Sequence, residues 1–152
     1  MTAVVALGSN IGDRMVYLTL AVSILQPYAT SPVYETAPVG GPKQGDFLNA
    51  VVLLDADAAT AWELAQVAEQ RARRSRGIRW GPRTLDVDII WAEGQAAGLL
   101  LPHPRASERA FVLAPWADVQ PDAVLPGAGR VKDLLAGLDL TGIRRRDDLV
   151  LS

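Results

Sequence analysis

The sequence predicts an α+β domain, a ferredoxin-like β-α-β-β-α-β sandwich with a C-terminal extension. Three observations carry this. Short β-branched runs alternate with two stretches of helical period, and turn residues mark each junction. The last third, broken by five prolines, reads as an extension holding two short helices. Ala3–Leu7 (AVVAL) reads as a buried strand stopped by Gly8. From Arg14 to Leu25 the apolar residues Met15, Leu18, Val22 and Leu25 recur at helical spacing, with Asp13 as N-cap and Pro27 closing the helix. Thr30–Thr36 is extended, and Pro32 suggests an edge strand. Ala37–Gly45 (APVGGPKQG) is a Gly/Pro-rich loop, and Phe47–Leu54 is a further strand. Ala59–Arg74 is the second helix, with Trp62, Ala65, Val67 and Ala68 as its apolar stripe. Leu85–Trp91 alternates with period two, as a half-buried strand does. Pro102, Pro104, Pro115, Pro121 and Pro126 break the remainder, leaving short helices near Glu108–Trp116 and Val131–Leu138. The helices are expected to cover one face of an antiparallel sheet.

At 152 residues the chain fits one domain, 1–152, large enough to bury a core without staples. It contains no cysteine, which excludes disulfides and thiolate metal sites and suits a reducing cytoplasm. No apolar run approaches a membrane span, and MTAVVALGSN lacks the basic start of a signal peptide, so a cytoplasmic protein with no membrane partner is expected. A net charge of −2 argues against a general nucleic-acid binder. The positive charge is nevertheless uneven, with six of the 13 arginines between Arg71 and Arg83 and three more at Arg144–Arg146.

The strongest chemical signal is Asp86 with Asp88. Two residues apart on a strand, they share a face, with Cα atoms roughly 6.5 Å apart. Leu85, Val87 and Ile89 then point to the core. Parallel carboxylates repel unless a cation lies between them, and magnesium accepts such hard ligands while keeping places for substrate phosphates. One or two ions could be held this way; a solvated outer face is the alternative. Just upstream, Arg83 offers a bidentate fork for phosphate, Gly81–Pro82 a fixed turn, and Trp80 a flat ring poorly placed for a core. The run Arg71, Arg73, Arg74 and Arg76 reads either as a helix C-terminus balanced by its dipole or as polyphosphate ligands. Gly8–Asp13 resembles a phosphate loop only superficially and reads better as a tight turn. His103, the only histidine, lies between two prolines, ahead of Arg109 and Phe111. Asn49 sits inside an apolar strand, where its amide needs a partner, either a loop backbone or a heterocycle edge; Phe47 shares its strand face.

Together ALGSN, Y-E-T-x-P-x-G at Tyr34–Gly40, FLNA at Phe47–Ala50, RWGPRTLDVDI and PHP…R-x-F resemble one family, the 6-hydroxymethyl-7,8-dihydropterin pyrophosphokinases of folate biosynthesis. The resemblance spans nearly the whole chain, and RWGPRTLD-x-D is its most specific block. It implies a transferase that moves pyrophosphate from ATP to the pterin hydroxymethyl group, releasing AMP, with two magnesium ions. Asp86 and Asp88 would hold both ions. Arg74, Arg83, His103 and Arg109 match positions at the ATP phosphates, with Arg76 as the alternative to Arg74. Gln66 and Ile89 match positions near the nucleotide. Thr36 and Val39 match the loop that meets the pterin by backbone groups, and Asn49 the side chain that reads its edge. Phe47 and Phe111 match an aromatic sandwich, with Trp80 beside it. In two places the chain departs from the family pattern. The arginine loop is one residue short with Arg73 in place of a usual glycine, and Gly98 stands where another phosphate-binding arginine is common. A monomer is expected. Rival readings are an RNA-binding ferredoxin-like module, suggested by RARRSRGIR, and a non-catalytic pterin or nucleotide sensor.

Overall fold

The computed structural model describes residues 1–37, 45–76 and 84–152, with the side chains of 74–76 outside that description. Strand β1 (Ala3–Ser9) is antiparallel to β4 (Phe47–Leu54) on one side and to β5 (Asp86–Ala92) on the other. The short strands β2 (Ala29–Thr30) and β3 (Tyr34–Thr36) both pair with β4, and β8 (Ile143–Arg145) pairs with β3. The sheet order β5-β1-β4-β3-β8 is the ferredoxin-like arrangement with one strand added by the C-terminal extension. Two helices, α1 (Arg14–Leu25) and α2 (Ala58–Arg76), complete the β-α-β-β-α-β unit.

Alternation along the strands divides the core in two. Ala3, Val5, Leu7, Leu48, Ala50, Val52, Leu54, Val87 and Ile89 face α1 and α2. Helix α2 meets them with Ala58, Ala61, Ala65, Ala68 and Ala72, a three-four repeat of small residues that lets the helix sit close to the sheet. Val67, read from the sequence as part of this stripe, is instead exposed, because alanine on the neighbouring helical row already fills the contact. Leu48 and Leu54 are essentially inaccessible, and burial of each contributes roughly 1.5–3 kcal/mol.

The opposite face is not left bare. Val4, Ala6, Val51, Leu53 and Ile90 are covered by α3 (Ala110–Val119) and α4 (Val131–Ala136), with a one-turn helix (Ala106–Glu108) leading into α3. A small hairpin of β6 (Val124–Leu125) and β7 (Gly129–Arg130) joins the two. This extension covers only half of its face. The uncovered half, towards Gly8, Asn49 and Asp86, is where the cavity lies.

Four expectations are corrected. Gly8 does not stop β1, which runs on to Ser9 with Gly8 paired to both Asn49 and Asp86. Thr30–Thr36 is not one strand: Thr30 ends β2, which pairs only with β4 among the described strands, and Tyr34–Thr36 is β3, which is no edge because β8 pairs with its outer side. Pro115 does not break its segment but lies inside α3, which forgoes only the bond to the Phe111 carbonyl. The helices occupy both faces of the sheet, since the extension folds back across it. The loop over 38–44 and the turn at Gly81–Pro82 lie outside the described residues.

Candidate active site

The register draws one row across the sheet: Tyr34 opposite Asn49, Asn49 opposite Gly8, and Gly8 opposite Asp86. Asp88, opposite Ala6, stands on the same face one step along β5. Gly8 is the gap in this row. A β-carbon built there would stand 3.1 Å from Asn49 Oδ1 and 3.8 Å from Phe47 Cδ1. Because the middle strand has no side chain at this point, the amide on one side and the carboxylates on the other are separated by open floor. Interstrand spacing puts Asn49 and Asp86 about 10 Å apart across it.

Above this floor lies a cavity of about 450 Å³, lined by Gly8, Thr36, Phe47, Asn49, Asp86, Asp88, Arg105, Glu108, Arg109 and Phe111 with apolar neighbours. Seven of these were singled out in the sequence as site residues: Thr36, Phe47, Asn49, Asp86, Asp88, Arg109 and Phe111. Asn49 is buried, and its Nδ2 donates to Thr36 Oγ1 at 2.7 Å, so its partner is a side chain rather than a loop carbonyl. That bond orients the amide and leaves Oδ1 at the cavity floor beside Gly8. Phe47 rises from the sheet and Phe111 descends from α3, where the Arg109 guanidinium lies 5.6 Å from the Phe111 ring centroid, within cation–π range.

Asp86 and Asp88 are half-buried, while Val87 and Ile89 between and beyond them are buried in the helical core. Just past Asp88 the pairing with β1 slips by one residue between Val4 and Val5, a bulge that redirects the strand. The outer edge of β5 is held from two places. Glu69 of α2 accepts from the Val87 amide at 3.0 Å, and the His103 amide donates to the Ile90 carbonyl at 2.8 Å. The second bond brings His103 to the end of the carboxylate strand, although it does not line the cavity wall. The His103 pKa is lowered by burial and by the Arg109 charge, against the opposing pull of Asp88. The ring is accordingly neutral near pH 7. Its Nδ1 accepts from the Arg105 amide at 3.2 Å, which leaves Nε2 to carry the proton.

The remaining site residues fall elsewhere. Gln66 is exposed on α2, and the Ile89 side chain is buried on the helical face, so only its backbone can meet a ligand. Trp80, Arg83 and Val39, with the side chains of Arg74 and Arg76, lie outside the described residues. Three features went unread in the sequence. Arg105 and Glu108 reach the cavity from the turn before α3, and they form a mutual 3.7 Å ion pair that solvent exposure makes weak. Gly8 acts through its missing side chain, which only a cross-strand register reveals. Glu35, almost fully buried, is gripped by Arg14, Arg144 and Arg146; the Arg14 bond, ahead of the other two, holds its pKa down at about 2.

As a metal site the donor set is two carboxylates on one strand face, and no group of three or more acidic or imidazole ligands assembles among the described residues. This is too open for a closed structural cage. It suits magnesium, which keeps waters and completes its shell with substrate phosphates. No described helix is long and apolar enough to cross a membrane.

The family model described as 7,8-dihydro-6-hydroxymethylpterin-pyrophosphokinase matches residues 4–121. Among similar proteins, the 2-amino-4-hydroxy-6-hydroxymethyldihydropteridine pyrophosphokinase of Mycobacterium leprae is 48% identical over 93% of this chain and 85% of its own. The enzyme of the same name from Methylorubrum extorquens is 40% identical over 94% and 97%. Among solved structures, a Plasmodium falciparum HPPK-DHPS crystallised with pteroate superposes with a TM-score of 0.68 at 12% identity, over 95% of this chain. The chain spans 46% of that longer protein, and at this identity the likeness speaks for the fold alone. From the match over residues 4–121 and relatives close to half identical, the chain belongs to the 7,8-dihydro-6-hydroxymethylpterin-pyrophosphokinase family.

Proposed function

We propose that this chain transfers the terminal pyrophosphate of ATP to 6-hydroxymethyl-7,8-dihydropterin, giving AMP and the pterin diphosphate of folate biosynthesis. The observation that carries the reading is one cavity, lined also by Phe111, in which Asn49 and Phe47 lie on one side of Gly8 and the two carboxylates on the other. A flat heterocycle fits the first half, and a metal–polyphosphate fits the second.

In this reading Asn49 pairs with the pterin edge, Thr36 fixes its amide, and Phe47 and Phe111 hold the ring faces. Thr36 and Val39 also meet the ring through their backbone. Asp86 and Asp88 would hold two magnesium ions, which when bound neutralise phosphate charge. Arg109 and the neutral His103, donating from Nε2, steady the phosphate oxygens, and Arg74 or Arg76 and Arg83 supply further forks. Gln66 and the Ile89 backbone would lie along the nucleotide, with Trp80 as the wall between nucleotide and pterin. The hydroxymethyl oxygen attacks the β-phosphorus in line. The bond from that phosphorus to the α-bridging oxygen breaks, AMP departs, and the hydroxyl proton passes to solvent. Positioning and charge neutralisation supply most of the acceleration, as in other phosphoryl transfers. We further propose that the enzyme acts as a cytoplasmic monomer, since one chain supplies every described wall of the cavity and has no cysteine to protect.

The test is to incubate the protein with ATP, magnesium and the hydroxymethyl pterin and to follow nucleotides by chromatography. AMP formed one-for-one with pterin diphosphate is expected. ADP alone, or AMP without the pterin product, refutes the reading.

A further inference from the structure

A basic residue in the first turn of a helix opposes the helix dipole, so one that persists there needs a specific partner. Arg14 is the first residue of α1, directly after the Asp13 cap, and no acidic residue shares that turn. Its guanidinium instead reaches across to the end of the β3–β4 ladder. The same Nη1 donates to Glu35 Oε2 at 2.6 Å and to the Asp46 carbonyl at 3.0 Å. Glu35 belongs to β3 and Asp46 immediately precedes β4, so one side chain bonds both strands where their pairing ends.

The last pair of that ladder is Thr36 with Phe47. Strand alternation puts Glu35 and Leu48 on the helical face, and Thr36, Phe47 and Asn49 on the cavity face. A terminal pair ordinarily frays, being held by neighbours on one side only. Here the β3 end is also held by β8: the Ala37 amide donates to the Gly142 carbonyl at 3.1 Å, and Arg144 and Arg146 share Glu35. The start of β4 receives the Arg14 bond to the Asp46 carbonyl on the helical side, while on the cavity side the Asn49–Thr36 bond joins the same two strands.

We propose that Arg14 is a positioning residue for the pterin end of the cavity: acting from behind the sheet, it locks the Thr36–Phe47 pair and, through Thr36, the orientation of the Asn49 amide. It touches no substrate. This rests on the function proposed above, and it adds a residue outside the cavity that sets affinity for one substrate and not the other.

The experiment compares wild type with Arg14→Met, which keeps the aliphatic stem, and Arg14→Lys, which keeps the charge on a shorter, unbranched side chain. Affinity for 6-hydroxymethylpterin is titrated with a non-hydrolysable ATP analogue and magnesium present, and affinity for the magnesium–analogue complex is titrated alone. The side-chain amide signals of Asn49 are followed by NMR in the unliganded protein. Arg14→Met should weaken pterin binding at least tenfold, with Arg14→Lys intermediate and nucleotide affinity within twofold of wild type. The Asn49 amide should shift and exchange faster with solvent. Pterin affinity within twofold of wild type overturns the proposal. So does an equal loss of both affinities together with a lowered melting temperature, which is the pattern of general loosening. Should Arg14→Met fail to fold, Glu35→Gln keeps the shape of the partner and faces the same criteria with a threefold threshold. If wild type binds both ligands but makes no AMP, the reaction reading fails while the affinities still judge Arg14. If wild type binds no pterin, an unchanged Asn49 amide in Arg14→Met overturns the positioning role.

Discussion

Replacing Gly8 with alanine adds one methyl group at the point where the cavity floor is thinnest. The backbone tolerates it, because Gly8 is not among the glycines with positive φ. In a compatible conformation, alanine for glycine stabilises by about 0.4–1 kcal/mol through the unfolded chain. Against this stands the 3.1 Å approach to Asn49 Oδ1, which requires the amide to yield by a few tenths of an ångström while keeping its 2.7 Å bond to Thr36. The two effects nearly offset, so the folding free energy should change by less than about 1 kcal/mol. The ligand fares worse. A β-carbon stands about 1.5 Å from its Cα, so a flat molecule resting on the floor is lifted by the order of an ångström, and misplacement on that scale costs on the order of a hundredfold in rate. Steady-state AMP formation and a denaturant melt on the same preparation separate the two quantities. Activity within threefold of wild type would refute the floor as the place where substrate lies. A loss of more than about 2 kcal/mol of stability would refute the claim that the row has slack for a methyl group.

Asp88→Asn should abolish magnesium-dependent turnover, by a factor of about a thousand or more, while leaving the melting temperature equal or higher because a like-charge pair is relieved; turnover that survives refutes the metal role. Thr36→Val removes the acceptor of a buried amide and should cost about 1–3 kcal/mol of stability, with a matching loss of pterin affinity measured by titration. The Glu35 pKa lies near 2, below its ordinary value of 4.5, so the ion cluster stabilises the fold fully above about pH 4.5 and loses its contribution as pH falls towards 2. The shift corresponds to roughly 3 kcal/mol at most. Denaturation midpoints between pH 7 and 3 should therefore fall more steeply for wild type than for Glu35→Gln, and parallel slopes would contradict the assignment.

Most of the fold was legible because its elements obey local rules. The α1 boundaries follow from Asp13, whose side chain accepts from the Val16 amide, and from the apolar spacing that ends before Pro27. The limits of β4 coincide with the apolar run Phe47–Leu54. The elements misread are those whose state depends on a distant partner. Tyr34–Thr36 looks like part of an edge until β8, more than 100 residues later, pairs with it. Pro115 reads as a breaker, but packing of α3 against Val51 and Leu53 outweighs one missing hydrogen bond.

The candidate site divides in the same way. Asp86 and Asp88 share a face by the period of a strand alone, and Asn49 is conspicuous in the sequence as a polar residue in an apolar run. By itself, then, the sequence determined the strand and helix periods, the paired carboxylates and the absence of thiol chemistry, because each depends on neighbours within a few residues. Only the tertiary structure decided that Gly8 lies between Asn49 and Asp86, that the extension leaves half a sheet face open above them, and that Arg14 braces the pair beneath Thr36. Those relations are set by strand register and by contacts between residues far apart in the chain, which composition and period do not encode.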